Sequence, residues 1–209
     1  SDVCSSDLKA KCLPSVAIQS FTIYMDDQPL CWVNKVKYIG CTIITRTGKA
    51  DVKEAVGRFY GAANNILSVL GRNRNEMLAV YLVKTYCLPA LLYSCEVWTL
   101  NDSDRHNVNV AWNNVFRKIF NACWRESVSQ LLFFCSEMHV NYIIDLHKLL
   151  FYKRLMNTDN LVLMLLFNVA QFSIKRLCSK YNVILGIDFI AAIRLKVWRQ
   201  FCSVEGLIG

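Results

Sequence analysis

The apolar positions of this chain come in short β-type runs over the first fifty residues and then settle into a helical rhythm that lasts to the end. From Val16 to Ile44 the runs are rich in β-branched and aromatic residues and are broken by turn formers. Ala17 to Met25 predicts one strand, Asp26-Asp27-Gln28-Pro29 a turn, and Leu30 to Val33 a returning strand. Val36 to Ile44 predicts a further strand with Gly40 at its middle, where a glycine marks a bulge or a close approach to the backbone. Thr47-Gly48 is the next turn.

Beyond Gly48 the period changes. Ala50 to Leu70 places Val52, Ala55, Val56, Phe59, Ala62, Ala63, Ile66, Val69 and Leu70 on one stripe, and Gly71 is a natural C-terminal stop. A basic turn, Arg72-Asn73-Arg74-Asn75, leads into a helix from Glu76 to about Leu88, which Pro89 interrupts or kinks. Asn101-Asp102-Ser103-Asp104 is a helix start, and Val108, Ala111, Trp112, Val115, Phe116, Ile119, Phe120 and Cys123 follow at helical spacing. Further helices are predicted from Ser127 to Cys135, Val140 to Met156, Leu161 to Tyr181 and Ile187 to Phe201. The fold class is therefore mainly α: a short β-hairpin or strand element at the N-terminal end, then a multi-helix array.

Composition sharpens this. With 54% hydrophobic and 19% charged residues the chain is too apolar for disorder. The ten cysteines stand singly with no CxxC pair, so neither the usual zinc spacing nor a secreted disulfide scaffold is indicated; reduced, intracellular, structural thiols are expected, in nucleus or cytoplasm. No uncharged apolar stretch has the length of a membrane span, and no membrane partner is expected. The nearest candidate, Asn160 to Ile174, reads as a buried helix. A net charge of +8 suits a polyanion such as nucleic acid.

Ser1 to Leu8, SDVCSSDL, has no periodicity and resembles the conceptual translation of a sequencing adapter. Removing it takes out Asp2 and Asp7 and raises the net charge from +8 to +10. Downstream, an ordered series of segments resembles the reverse transcriptases of non-LTR (LINE-type) retrotransposons. KVKYIGCTI at Lys35 to Ile43 is similar to their FKYLG strand at the primer grip, with Ile39 for the usual leucine. TGKADVKEAVGRFYGAANNILSVLG is similar to their thumb helix, with Arg58, Ala62 and Ala63 in register. YLVKTYCLPALLYSCEVWTL at Tyr81 to Leu100 matches at Lys84, Pro89, Tyr93, Glu96 and Trp98, with Ser94 where glycine is usual. The run Val108 to Cys135 resembles the helix that follows.

The resemblance covers roughly Lys35 to Phe151 and divides the chain into residues 1–8 (adapter), 9–47 (end of a palm with a primer-grip-like strand), 48–125 (thumb-like helices) and 126–209 (a C-terminal helical region). It implies a fragment of an RNA-directed DNA polymerase that grips an RNA–DNA template–primer duplex and that has lost the N-terminal palm and fingers it packed against. Lys37, Tyr38, Gly40, Arg58, Arg72 and Arg74 are the implied nucleic-acid contacts. Tyr24-Met25-Asp26-Asp27 spells the YxDD of the family's metal site, but only ten residues separate Asp27 from Tyr38, where the family has several dozen. A two-metal centre also needs an earlier carboxylate, and upstream only Asp2 and Asp7 remain. No catalytic residue and no cofactor is therefore assigned to the fragment; magnesium is implied for the full-length parent. His106, His139 and His147 have no nearby cysteine pair, and no metal ligand is assigned among them. Two alternatives stay open: a co-opted helical nucleic-acid-binding module, or a decayed element without selected function.

Overall fold

The computed structural model describes residues 24–25, 28–29, 33–38, 41–44, 49–71 and 75–207. Packing divides the chain into two compact units, Ser1–Glu54 and Ala55–Gly209. A short antiparallel sheet lies in the first and helices build the second, as the change of periodicity predicts. The second unit takes in both sides of the break expected near Trp124–Ser127.

In the first unit, β1 (Tyr24–Met25) pairs antiparallel with β2 (Gln28–Pro29) in the register Tyr24↔Pro29 and Met25↔Gln28. Gln28 and Pro29 are thus strand residues rather than turn residues, while Asp26 and Asp27 of the expected turn lie outside the described residues. The long strand expected over Val36 to Ile44 is instead two: β3 (Lys35–Tyr38) and β4 (Cys41–Ile44) run antiparallel, with Tyr38 opposite Cys41. Folding back lets the two halves satisfy each other's backbone groups. A third strand, β5 (Lys49–Ala50), pairs with β4. The Asp51 amide donates to the Thr42 carbonyl at 2.7 Å and extends that ladder. The rest of the strand expected over Ala17 to Met25, and residues 1–8, lie outside the described residues.

The sheet hands over to α1 (Val52–Leu70) through Asp51, whose Oδ1 accepts from the Glu54 amide at 3.3 Å and caps the helix. Ala55, Phe59 and Ala63 are buried at helical spacing, but Val69, expected on the same stripe, is 87% exposed. Gly71 ends the helix at φ +72, a backbone that only glycine adopts without cost. Asn75 caps α2 (Glu76–Leu82) by accepting from the Leu78 amide at 3.1 Å. The expected disturbance at Pro89 is absorbed before the proline: Val83–Cys87 widens into a π turn, the Leu88 amide reaches back to the Val83 carbonyl, and α3 (Leu88–Leu91) continues. The widening fits the proline's missing N–H and its ring, which crowds the carbonyl four residues earlier.

Asn101 caps α4 (Asp102–Phe120) with a 2.7 Å bond from the Asp104 amide. Val108, Ala111, Trp112, Val115, Phe116 and Ile119 are buried as predicted, while Cys123 lies beyond the helix and is exposed. A chain of rings runs from Phe59 to Trp112 (6.2 Å) and on to Phe116 (4.9 Å). Trp112 Nε1 donates to the Met138 carbonyl at 3.1 Å, so its one polar atom is satisfied inside the core. After the short α5 (Ser129–Phe134), α6 (Val140–Met156) and α9 (Ile190–Val204) build a second cluster, with Leu149, Ile193 and Val197 packed around Ile174, Tyr181 and Val183.

The single helix expected from Leu161 to Tyr181 is broken at Ala170 into α7 (Leu161–Val169) and α8 (Gln171–Tyr181), which bend by 66°. Nor is it buried. Leu161, Val162, Leu165, Val169 and Phe172 are 57–85% exposed; Ile174 and Tyr181 of α8 are buried in the core, with Phe167, Ala170, Leu177 and Cys178 packed partly against it. Among the described residues no single helix is long and apolar enough to cross a membrane; the bent pair α7–α8 passes that test only when joined.

Candidate nucleic-acid interface

On the sheet, Lys35 and Lys37 stand two residues apart on β3 and therefore share a face. Lys35 is committed to structure: its Nζ donates to Asp51 Oδ2 at 2.5 Å. The bond raises the lysine above its ordinary pKa and lowers the aspartate, so each holds the other charged. Lys37 is exposed, opposite Thr42 in the ladder. Tyr38 closes the strand, and its side chain, like Gly40, Arg72 and Arg74, lies outside the described residues.

Arg58 belongs to the other unit, on the exposed face of α1. At about 100° per residue, Gly57, Gly61 and Ser68 form the outermost line of that helix, with Arg58 and Asn65 on one flank and Asn64 on the other. All of these are exposed, and a Cβ built on Gly57 or Gly61 would meet nothing within 4 Å. Each glycine inside an exposed helix costs roughly 0.5–1 kcal/mol relative to alanine. No packing contact in the structure requires them to be small.

The Asn64 flank is continued by α4. Lys118 Nζ donates to Asn64 Oδ1 at 3.1 Å, and Asn114 Nδ2 donates to Tyr60 Oη at 3.3 Å. The constant offset of 54 residues means that α1 and α4 run in the same direction along this seam. Arg117 closes it, donating to Asn114 Oδ1 at 3.2 Å and to the Glu126 carbonyl at 3.2 Å. A floor of glycine is thus bordered by Arg58 on one side and by Lys118 on the other. Arg58 is among the contacts the resemblance implies; Gly57, Gly61 and Lys118 are not. The signal was the two glycines four apart in a helix whose buried stripe lies elsewhere.

The loop after α4 carries another feature that the sequence reading passed over. Trp124 is 74% exposed, with the Arg125 guanidinium 4.9 Å from its ring centroid. Of the aromatics matched to the family pattern, Trp98 and Trp112 are core residues, whereas Tyr93 is 46% exposed. Lys84 pairs with the buried Glu137 and ties the π turn to the approach of α6.

Asp26 and Asp27 lie outside the described residues, and among the described residues no set of three carboxylates comes together; nothing there fits a magnesium pair. One trio of a different kind does converge: Cys95 Sγ, a Glu96 carboxylate oxygen and a His147 ring nitrogen lie within 4.8 Å of one another, with a single cysteine rather than a cysteine pair beside the histidine. No family model matches the chain, and no curated protein or solved structure does.

Proposed function

We propose that this chain is the thumb and downstream part of a non-LTR retrotransposon reverse transcriptase and that it grips the backbone of an RNA–DNA duplex without performing the chemistry. The observation that carries the reading is the exposed face of α1: a glycine floor at Gly57 and Gly61 flanked by Arg58 and, from α4, Lys118. A sugar–phosphate backbone is the kind of partner that rewards such a face. It needs close approach, which a side chain on the floor would block, and it needs cations at the margins. Lys37 on β3 supplies a further exposed cation in the first unit. Contacts of this kind read shape and charge rather than sequence.

Fluorescence anisotropy with a labelled RNA–DNA hybrid, followed from low to moderate salt, tests this. Affinity is expected to fall with salt, and Arg58→Glu to weaken binding and reduce the salt slope by about 1. Gly61→Ala is expected to raise the unfolding free energy by about 0.5–1 kcal/mol, because the helix gains a better former in open space. The same substitution is expected to weaken binding of the hybrid. Opposite signs in one variant separate a contact surface from a folding effect. Salt-independent binding, or a Gly61→Ala protein that binds like the parent, would overturn the proposal.

A further inference from the structure

We infer that Cys95, Glu96 and His147 form a binding site for a thiophilic divalent cation of the zinc type. This stands apart from the nucleic-acid reading. The turn that follows α3 brings the first two ligands together: Ser94 adopts φ +61, and the Cys95 and Val97 amides donate to the Leu92 and Ser94 carbonyls at 2.9 and 3.2 Å. His147 arrives from the middle of α6, with its Nδ1 3.6 Å from Glu96 Oε1. The three ligand atoms lie within 4.8 Å of one another. Bonds of about 2.0–2.3 Å at a tetrahedral angle need them about 3.5 Å apart, so closing the site takes a shift of about 1 Å. The geometry leaves that movement to the half-exposed glutamate and histidine, while the cysteine is fully buried.

Charge and softness select the ion. A thiolate and a carboxylate together neutralise a divalent cation. Lys148, which donates to the Trp98 carbonyl at 2.7 Å, is close enough for both ligands to act on it, and it repels any cation that enters. A hard ion held only by charge gains little against that ammonium. An ion that bonds to sulfur and imidazole gains more, which favours zinc over magnesium or calcium. A cysteine binds the ion as thiolate, so binding replaces the S–H bond with a sulfur–metal bond and releases one proton to solvent. Three protein ligands leave the fourth position for water.

Cobalt(II) is the probe, because a thiolate ligand gives it a charge-transfer absorption that carboxylate and imidazole do not. The full chain is expected to bind one cobalt ion with that band and to lose the band on addition of zinc. Cys95→Ala should abolish it, and the exposed-site control Cys123→Ser should leave it intact. His147→Gln, at a half-exposed position that does not threaten folding, should weaken cobalt binding at least about tenfold, the scale on which even outer partners of a ligand act. No charge-transfer band, a band that survives in Cys95→Ala or is lost in Cys123→Ser, or unchanged affinity in His147→Gln would each overturn the site.

Discussion

Ser94 is the residue at which the chain departs most visibly from the pattern it resembles, and the structure gives the departure a physical meaning. Its φ of +61 lies in the left-handed region, which costs an L-residue with a Cβ of the order of 1 kcal/mol. Glycine, usual at this position in the resembled family, adopts it freely. Asn121 and Asn182 hold the same conformation at the ends of α4 and α8, where an asparagine is better tolerated than serine. Ser94→Gly is therefore expected to stabilise the protein by about 0.5–1 kcal/mol, offset in part by the added freedom of the unfolded chain. A urea denaturation curve checks it: the midpoint should rise with an unchanged slope. A midpoint that falls would mean that the serine side chain has a role in the turn that outweighs the backbone strain.

At the level of elements, the boundaries that the sequence predicted well are those set by local chemistry. Asn101 and Gly71 terminate helices through one hydrogen bond and one backbone conformation, both readable from a few neighbouring residues. The folding back of β3 on β4 and the break at Ala170 depend on what the chain meets in space, and hydrophobic periodicity does not carry that information. Likewise α7 is apolar at almost every position, which reads as burial, yet most of its surface faces outward. The candidate site divides the same way. Arg58 was legible from its place in a motif, whereas its glycine floor needed the buried face of α1 to be known, and His147 meets Cys95 only through the packing of α6. The contrast between α6 and α7 is measurable. Leu149→Ala removes a fully buried side chain from the cluster of α6, α8 and α9 and should cost about 2–5 kcal/mol. Leu165→Ser removes a side chain that is 57% exposed and should change stability by no more than about 0.5 kcal/mol. Paired urea curves distinguish them, and a large loss for Leu165→Ser would mean that α7 is packed after all.

Across the whole chain, ionisable groups buried in the second unit tie its helices together and set its response to pH. Asp145 accepts from Lys180 at 2.7 Å, Tyr181 at 2.8 Å and Arg105 at 3.1 Å, joining α4, α6 and α8. Burial pushes its carboxyl up, but these partners outweigh burial and hold it below the ordinary value, so its contribution is lost only as pH falls below about 3.8. His139 meets four side chains from three other elements, α4, α5 and the end of α9. Its ring nitrogens lie 3.0 Å from Ser129 Oγ and 3.0 Å from Asn113 Oδ1, with Glu205 Oε2 at 3.7 Å and the Phe201 ring edge-on. Burial lowers its pKa below 6.5, and Arg117 adds to that, while Glu205 opposes it. The fold thus prefers the neutral ring: the unfolded chain binds more protons just below pH 6.5, and stability falls as pH drops from there through the folded value. Glu137 has the opposite slope, because burial raises its pKa above 4.5 despite Lys84, and protonation on acidification relieves that cost. Both act on acidification, so the parent protein alone does not isolate the histidine. His139→Gln keeps a side chain able to hydrogen-bond Ser129 and removes the titration. The variant is expected to lose less stability than the parent between pH 7.5 and pH 5.5, measured by urea unfolding at each pH. Parallel losses in the two proteins would mean that His139 titrates alike in the folded and unfolded chains, and that its burial among Ser129, Asn113 and Glu205 has no bearing on acid sensitivity.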